Sequence, residues 1–425
     1  MATKNWLRTN RRKFLLAGTL AAGAIVLRPS EKGGSHNAYF SQLNQSLKAG
    51  KVSQPRLVLD LDAVDANIDA ISSRINAPKK WRVVVKSLPS IDLLDYIMRR
   101  GKTRALMVFH QPFLNQVVER FPDSDVLLGK PLPAAAAMKF YQSLGDTEFA
   151  VDRQLQWLID SVTRLEQYQS VARSLGTTMR VNLELDIGLH RGGFAAAEPL
   201  RAALDIIAQD PEHLQLGGFM GYEPFVVKLP NTKSLLDGAK RSYHQLLDSA
   251  RQSHSLLFGP STIYNIAGSQ TYSMYEDDTF FNDISAGSGV VMPTDFDMET
   301  LAHHQPASYI AAPVLKHYND VKISGIEGLS SVFSAWNPNR QQAWYLYGGN
   351  WQADYESPPG LIRNPIWGHS SNQEMVNGSN KVALKVDDFV FMRPRQSEFV
   401  FLQFGDLIAV RGGQLESFWP VLGET

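Results

Sequence analysis

The chain has 425 residues, a length that predicts a large domain together with a second one. Hydrophobic residues make up 44% and charged residues 20%, a composition typical of globular rather than disordered proteins. Basic and acidic residues both number 42, so the net charge of zero provides no general attraction for nucleic acid or an anionic membrane. The absence of cysteine excludes disulfides, thiolate zinc ligands, cysteine nucleophiles and a lipid-modified cysteine anchor.

Residues 1–30 are predicted to form an export signal. Paired Arg11-Arg12 precede Phe14 and an apolar stretch from Leu15 to Leu27. That stretch is shorter than the roughly 20 residues of a membrane-spanning helix, and a charged start before a short apolar core is typical of a signal. The segment resembles a twin-arginine signal, which implies export of folded protein to the periplasm. A basic membrane tether that is never removed is the alternative.

Residues 31–55 contain several glycine, serine and asparagine residues and predict a linker with one helix at most. After the linker, the run "RLVLDLDAVDANI" begins at Arg56. Its Leu57, Leu59 and Leu61 alternate with other positions and predict a half-exposed extra strand.

Residues 56–299 alternate between short apolar runs and stretches such as "IDLLDYIMRRG", "PFLNQVVERF", "RQLQWLIDSVTRLEQYQSVARSLG" and "AAEPLRAALDIIAQ", whose apolar residues recur at helical intervals. Alternating strands and helices predict a parallel sheet, and eight such units fit a closed (β/α)8 TIM barrel. An open doubly wound sheet is the alternative, although no G-x-G-x-x-G opens these helices. The predicted strands are Arg82–Val85, Ala105–Phe109, Val126–Leu128, Phe149–Val151, Met179–Leu185, Gly217–Gly221, Ile263–Ala267 and Asp283–Ala286.

Residues 300–425 differ in character and predict a C-terminal antiparallel β domain. They are richer in tryptophan, tyrosine, asparagine and glycine. Runs such as "QAWYLYGGNW", "DDFVFMRP" and "DLIAVRGGQLESFWPV" predict strands, with Gly348-Gly349 and Gly412-Gly413 as turns between them.

Lys86 is the first candidate functional residue. It follows the buried run Arg82–Val85, where a strand ends and a loop with Pro89 begins. The chemistry of TIM barrels takes place at the carboxyl ends of the strands, so Lys86 is placed to form a Schiff base. An ordinary solvated lysine is the alternative.

Polar side chains also follow the fifth and sixth predicted strands. "ELDIGLHRGGF" brings Glu184, Asp186, His190 and Arg191 to one strand end, and "GFMGYEP" adds Tyr222. For the first group, the alternative is a capped loop whose arginine pairs with a neighbouring carboxylate.

The seventh and eighth predicted strands end in turns of small residues. Gly268, Ser269 and Gln270 follow the seventh, and Gly287 and Ser288 follow the eighth. Small residues let backbone amides approach phosphate oxygens, and TIM barrels commonly bind phosphate after these two strands. Each turn alone is usually only a turn. With a strand-end lysine and arginine, the two turns predict a pyridoxal-phosphate site.

The motifs "LVLDLDAVDANI", "VVVKSLPS", "LELDIGLHRGGF", "GYEP" and "AGSQTY…DISAGSGVVM" resemble, in this order, those of the alanine-racemase-like, fold-type III pyridoxal-phosphate enzymes. The nearest likeness is to the branch with D-threonine aldolase and D-serine dehydratase, and it covers residues 56–294 well but the tail thinly. It implies that Lys86 holds pyridoxal 5'-phosphate as an internal aldimine and acts as a base at the substrate Cα. It also implies that Arg191 contacts the phenolic oxygen of the cofactor.

The same resemblance implies that Tyr222 packs near the pyridine ring. It implies a homodimer, because active sites in this family are completed by the partner's C-terminal domain. The remaining cofactor-binding residues that it implies are Gly268, Ser269, Gln270, Gly287 and Ser288.

D-threonine aldolase and D-serine dehydratase share a C-terminal metal site, built from a histidine and, two residues later, a cysteine or aspartate. Here Gln396 stands at the histidine position and Glu398 at the second. An amide is a poor zinc ligand beside imidazole or thiolate, so no tightly bound metal is expected. A loose site formed by Glu398 and His369 is the alternative.

The resemblance implies a lyase that acts at Cα of an amino acid, in particular a D-amino acid. Without a metal, the β-hydroxyl needs another acid or base, for which His190 and His369 are candidates. An amino-acid racemase is one alternative, and a non-catalytic pyridoxal-phosphate-binding protein is another. The expected partner is a small-molecule substrate and not a nucleic acid.

Overall fold

A computed structural model describes residues 28–321 and 335–423 of the chain. The predicted export signal therefore lies almost wholly outside the described residues. Within them, no helix is long and apolar enough to cross a membrane. The chain divides into two compact units. Of the described residues, the barrel unit contains 56–309 and 393–423, and the β unit contains 28–55, 310–321 and 335–392.

The helices and strands of the described residues are numbered in chain order. The helices are α1 (Ala38–Ala49), α2 (Leu61–Arg74), α3 (Ile91–Arg100), α4 (Gln111–Arg120), α5 (Ala134–Ser143), α6 (Val151–Gln154), α7 (Val162–Leu175), α8 (Ala197–Gln209) and α9 (Thr232–His254). The strands are β1 (Arg56–Asp60), β2 (Lys80–Val84), β3 (Ala105–Val108), β4 (Asp125–Leu128), β5 (Leu155–Ile159), β6 (Met179–Glu184), β7 (Leu214–Met220), β8 (Ile263–Ile266), β9 (Asp283–Ala286), β10 (Ser308–Tyr318), β11 (Gln342–Tyr347), β12 (Ala353–Ser357), β13 (Ile362–Arg363), β14 (Gln373–Gly378), β15 (Phe389–Pro394), β16 (Leu407–Arg411) and β17 (Gln414–Trp419).

Strands β2 to β9 form a closed barrel, which confirms the predicted fold class. Each strand pairs in parallel with the next, and β2 pairs with β9 to close the ring, with Arg82 opposite Ser285. Every residue of β3, β5 and β9 is buried. Such strands are covered by side chains inside the barrel and by helices outside it, so β3 and β5 are largely apolar instead of alternating. β9 differs, because it contains the buried polar residues Asp283 and Ser285.

The fourth strand of the barrel lies later in the chain than predicted. Of the predicted strand Phe149–Val151, the first two residues precede the single helical turn α6 and Val151 begins it, and the strand is Leu155–Ile159. The apolar residues of "LQWLI" lie three and four apart, which is why the sequence predicts part of a long helix there. A short run that is buried on both faces has no period of its own, so periodicity cannot separate a strand from a helix there. Helix α7 begins only after Ser161, whose side chain accepts a hydrogen bond from the Arg164 amide.

The barrel unit also contains β1, β16 and β17. β1 pairs in parallel with β16, and β16 pairs antiparallel with β17 through the predicted Gly412-Gly413 turn. The prediction of a half-exposed first strand was wrong, since Leu57, Val58 and Leu59 are all fully buried. The sequence is divided at residue 300 in the prediction, whereas in the structure the described residues 393–423 belong to the barrel unit.

The β unit is built mainly from antiparallel pairs, as predicted for the C-terminal domain. β10 pairs with β11 and β15, and β14 pairs with β11 and β13. Helix α1 belongs to this unit, so residues 31–55 are more than a linker. Its Phe40 packs on Phe391 with ring centroids 5.0 Å apart, and its Asn44 accepts a hydrogen bond from the Phe389 amide. The apolar stripe of Phe40, Leu43 and Leu47 explains why this segment folds as a packed helix.

Candidate active site

A cavity of about 610 Å³ lies within the barrel unit, at the carboxyl ends of the barrel strands. This volume is within the range of small-molecule sites. Most of the predicted site residues line it, although they come from five different strand ends. These lining residues are Lys86, Arg191, Tyr222, Gly268, Ser269, Gly287 and Ser288.

Lys86 lies on a 3-10 turn, Val85–Ser87, directly after β2. Its Nζ lies 2.8 Å from Oε1 of Glu398 and 4.6 Å from the centroid of the Phe109 ring. The side chain is 37% exposed and lines the cavity. Lys86 is therefore an accessible amine that a carboxylate and an aromatic face hold in position.

Glu398 is held by a chain of serine hydroxyls. The Ser397 hydroxyl donates to Ser288 at 3.2 Å, Ser288 donates to Ser87 at 3.0 Å, and Ser87 donates to Oε1 of Glu398 at 3.1 Å. The three serines are 4% exposed or less. This buried chain joins the turn after β9, the turn after β2 and the C-terminal segment of the barrel unit.

The turns after β8 and β9 present donors of the kind that phosphate accepts. The amides of Gly287 and Gly289 donate to the Ser269 hydroxyl at 2.8 and 3.0 Å. At Gly268, a Cβ atom would lie 2.7 Å from Cε2 of Tyr222, closer than side chains pack. At Gly287, a Cβ atom would lie 2.7 Å from Cβ of Val84. Glycine is thus required at both positions for the turns to approach the cavity wall.

Arg191 and Tyr222 lie together at the ends of β6 and β7. The Arg191 guanidinium carbon is 5.4 Å from the centroid of the Tyr222 ring. Burial, reinforced by the charge of Glu223, raises the pKa of Tyr222 to about 12, so its hydroxyl stays protonated. Burial also raises the pKa of Glu184, and the nearby charge of Arg191 opposes this shift.

Glu223 is a buried carboxyl that holds the turn after β8. Its Oε1 accepts from the Thr271 hydroxyl at 2.6 Å, and its Oε2 accepts from the Ala267 amide at 3.3 Å. The residue is fully buried, and this burial raises its pKa to about 7. Glu223 therefore links the β7 end to the turn that carries Gly268 and Ser269.

Three predicted site residues do not line the cavity. His190 is bound through Nδ1 to Asp186 at 2.9 Å, and its side chain is 81% exposed. Gln270 is buried beside the turn, where its backbone carbonyl oxygen accepts a hydrogen bond from the Thr300 hydroxyl. His369 belongs to the β unit, is exposed, and has Nδ1 3.5 Å from the side-chain oxygen of Asn350. The roles predicted for these residues remain predictions.

Other lining residues were not singled out from the sequence. Asp160 follows β5, and the misplaced fourth strand concealed it. Lys130 follows β4 in the run "GKP". Its position as a polar residue at a strand end, directly before a proline, could have identified it as a candidate lining residue. Ser87 adjoins Lys86 and was hidden in the same loop. The sequence predicts Glu398 only as a ligand of a loose metal site, and its contact with Lys86 has no local signal because the two residues are distant in sequence.

Across residues 28–321 and 335–423, no three histidine, aspartate or glutamate side chains cluster as a metal site would require. Gln396 donates through Nε2 to Oδ2 of Asp295 at 3.1 Å. The amide at the position of the expected histidine is thus engaged within the barrel unit.

The sequence matches the family described as alanine racemase, N-terminal domain, over residues 59–294. The match covers more than half of the chain and contains all eight barrel strands. A comparison with curated protein sequences gives no match.

Several solved structures share this fold, and the match extends over nearly the whole length of each solved chain. D-threonine aldolase from Filomicrobium marinum has a TM-score of 0.68 at 15% identity, over 87% of this chain and 97% of that one. D-threo-3-hydroxyaspartate dehydratase from Delftia sp. HT23 has a TM-score of 0.62 at 17% identity, over 87% and 98%. An alanine racemase from Clostridium difficile 630 has a TM-score of 0.64 at 14% identity, over 86% and 98%. These likenesses establish the fold.

Proposed function

This chain belongs to the alanine racemase N-terminal domain family, and from that premise we propose that it is a lyase acting at the Cα of an amino acid, in particular a D-amino acid. Relatives with this fold are pyridoxal 5'-phosphate enzymes. The observation that carries the proposal is a single cavity in which an accessible lysine, Lys86, faces turns of glycine and serine after the last two strands. Solved structures of an aldolase and a dehydratase with this fold favour the lyase type.

The residues present fit pyridoxal 5'-phosphate. Lys86 would provide the amine that holds the aldehyde carbon covalently. Ser269 accepts from the amides of Gly287 and Gly289, which leaves its own hydroxyl proton to donate to a phosphate. Arg191 would be the planar cation that donates to the ring oxygen of the cofactor. Tyr222, beside Gly268 in the cavity lining, would pack near the ring.

When bound, the cofactor supplies an electron sink for the electron pair left at Cα. The protein supplies orientation, proton transfer and exclusion of water. Lys86 Nζ would be the base that takes or returns a proton at Cα. The apolar side chains of Val84, Met107, Phe109 and Met220 line the cavity and limit water around that proton.

The alternative of an amino-acid racemase uses the same cavity, and the solved alanine racemases of this fold favour it. Racemisation requires an acid and a base on opposite faces of Cα. Chiral chromatography of the products distinguishes a lyase from a racemase, since a lyase forms an aldehyde or oxo acid while a racemase forms only the enantiomer of the substrate.

Reductive trapping tests the proposed cofactor site. Purified protein should absorb in the visible, and borohydride should fix the cofactor on the peptide that contains Lys86. Lys86→Ala should abolish the adduct and turnover, while Lys130→Ala, at the other cavity lysine, should retain the adduct. An adduct mapped to another lysine at full occupancy would contradict the assignment.

We further propose a homodimer that works without tightly bound zinc. Relatives of this fold commonly dimerise, and a two-fold assembly should appear in light scattering at twice the monomer mass. A fully active monomer would oppose it.

Because Gln396 stands where the metal-binding relatives have histidine, a chelator should leave the activity and visible spectrum in place. Stoichiometric zinc that is lost together with activity would oppose this expectation.

A further inference from the structure

We propose that Glu398 is the catalytic base that accepts a proton from the β-hydroxyl of a substrate bound in this cavity. The inference rests on the proposed function, since the reaction needs the electron sink at Cα. It assigns a role to a side chain that contacts Lys86 and lines the cavity.

The first argument is the geometry of the carboxylate. Oε1 of Glu398 is fixed by Lys86 Nζ at 2.8 Å and by the Ser87 hydroxyl at 3.1 Å. Oε2 makes no hydrogen bond with any residue in the described ranges, and the side chain is 38% exposed at the cavity wall. One oxygen is therefore anchored and the other is available to a bound molecule.

The second argument is the support behind the anchored oxygen. Ser87, Ser288 and Ser397 form a hydroxyl chain in which every donor points toward Glu398. Because the chain is buried and accepts nothing from Glu398, it favours a carboxylate that receives hydrogen bonds. The chain therefore holds Glu398 in position as a carboxylate, the form that has a lone pair to accept a proton from the substrate.

The third argument is position relative to the reacting carbon. Lys86 is the proposed base at Cα, and a β-hydroxyl oxygen is two bonds from Cα. A group in contact with Nζ is therefore close enough to reach that oxygen. The other cavity carboxylates, Asp160 and Glu184, form no ion pair with Lys86 in the described structure.

The proposed step is a retro-aldol cleavage. Oε2 of Glu398 accepts the hydroxyl proton, the Cβ–O bond becomes a carbonyl, and the Cα–Cβ bond breaks. Its electron pair remains at Cα and the aldehyde leaves. Lys86 Nζ gives a proton to Cα to form glycine. Glu398, whose Oε1 lies 2.8 Å from Nζ, then rotates to bring its protonated oxygen to the amine and restores that proton. The hydroxyl loses one proton, Cα gains one, and Lys86 and Glu398 return to their starting states, so atoms and charges balance without an external reagent.

The experiment uses the cofactor-loaded protein with D-threonine and D-phenylserine as probes. Aldehyde release is compared with exchange of the glycine Cα hydrogen in D₂O, which reports Lys86 chemistry without a β-hydroxyl. In Glu398→Gln, aldehyde release should fall by about 100-fold or more and much further than glycine exchange. Glu398→Asp should recover part of the loss. Gln396→Ala, two positions away, is the matched control and should stay within about threefold of wild type, the effect expected of a surface change.

A binding readout accompanies the rates. Glu398→Gln should still give the borohydride adduct at Lys86, and adding D-phenylserine should still change its visible spectrum, so that substrate remains bound without aldehyde release. Aldehyde release within threefold of wild type would overturn the inference, as would an equal loss of glycine exchange. Ammonia and an oxo acid as products of the wild type would also overturn it. A wild-type protein that forms no Lys86 adduct would instead overturn the proposed function.

Discussion

Arg82 and Asp283 form a buried bidentate ion pair that joins the first and last strands of the barrel. Nε lies 2.8 Å from Oδ1 and Nη2 lies 2.7 Å from Oδ2, and both side chains are at most 1% exposed. Arg82 also donates to the carbonyl oxygens of Leu106 and Asp125. The pair therefore closes the ring below the strand ends that carry Lys86 and Gly287.

Asp283→Asn should destabilise the fold strongly. The change removes the bidentate carboxylate from a buried guanidinium and leaves only the Asp125 carboxylate, 3.2 Å from Nη2, as a counter-charge. Loss of a partner from a buried ion pair typically costs about 3–5 kcal/mol. Urea denaturation of the cofactor-free protein gives the free energy of unfolding. The matched control is Asp95→Asn at the exposed Arg99–Asp95 pair, which should cost less than about 1 kcal/mol. Equal effects of the two substitutions would contradict the structural role given to Asp283.

Gly268→Ala should weaken cofactor binding. A Cβ atom would lie 2.7 Å from Cε2 of Tyr222 and would displace the ring from the cavity wall. Overpacking of this kind costs about 1–3 kcal/mol, so the Kd for pyridoxal 5'-phosphate should rise by about tenfold or more, measured by quenching of protein fluorescence. Gly259→Ala is the control, because nothing lies within 4 Å of its Cβ position. An unchanged Kd in Gly268→Ala would show that the Tyr222 ring is not part of the site.

Glu223 should make stability depend on pH. Its pKa is about 7 in the folded protein, raised by burial from the usual 4.5. Because the folded pKa is the higher one, the folded state binds the extra proton between these values. The stabilisation is complete below pH 4.5 and is lost as the pH rises to about 7. A shift of this size corresponds to about 3 kcal/mol.

Glu223→Gln cannot ionise, so it isolates this effect. The free energy of unfolding of wild type minus that of the variant should decrease by about 3 kcal/mol between pH 4.5 and pH 8. The constant part of the difference reflects the hydrogen bond that the amide cannot accept. Glu212→Gln, on the exposed surface, should give a flat difference. A flat difference for Glu223→Gln would mean that the carboxyl does not titrate in this range.

We propose that the protein is exported folded, with its cofactor bound. Pyridoxal 5'-phosphate is made in the cytoplasm, and a twin-arginine route carries folded proteins. Arg11→Lys combined with Arg12→Lys should therefore retain yellow, folded protein in the cytoplasm, as measured by fractionation and visible absorbance. Arg8→Lys, outside the pair, should not affect export. Normal export of the double variant would contradict the proposed signal, which lies outside the described residues.

The features predicted best are those formed by residues close together in the sequence. Continuous apolar runs and small-residue turns indicated seven of the barrel strands, Lys86 at a strand end and the glycines after β8 and β9. These features depend on local requirements: a strand covered on both faces must be apolar, and a backbone that approaches a ligand must carry glycine or serine. Local patterns failed at Leu155–Ile159, where burial on both faces removes the periodicity that distinguishes strand from helix.

The fold class, Lys86 and the glycine- and serine-rich turns could be predicted from the sequence, because each depends on residues that are neighbours along the chain. The carboxylate that contacts Lys86 could be identified only from the three-dimensional structure. Ser87 and Glu398 lie 311 positions apart, and their contact depends on how the C-terminal segment returns to the barrel unit. The same applies to helix α1, whose Phe40 meets Phe391 only after the β unit has folded. Such contacts are set by the packing of distant segments, and no local periodicity encodes a partner hundreds of residues away.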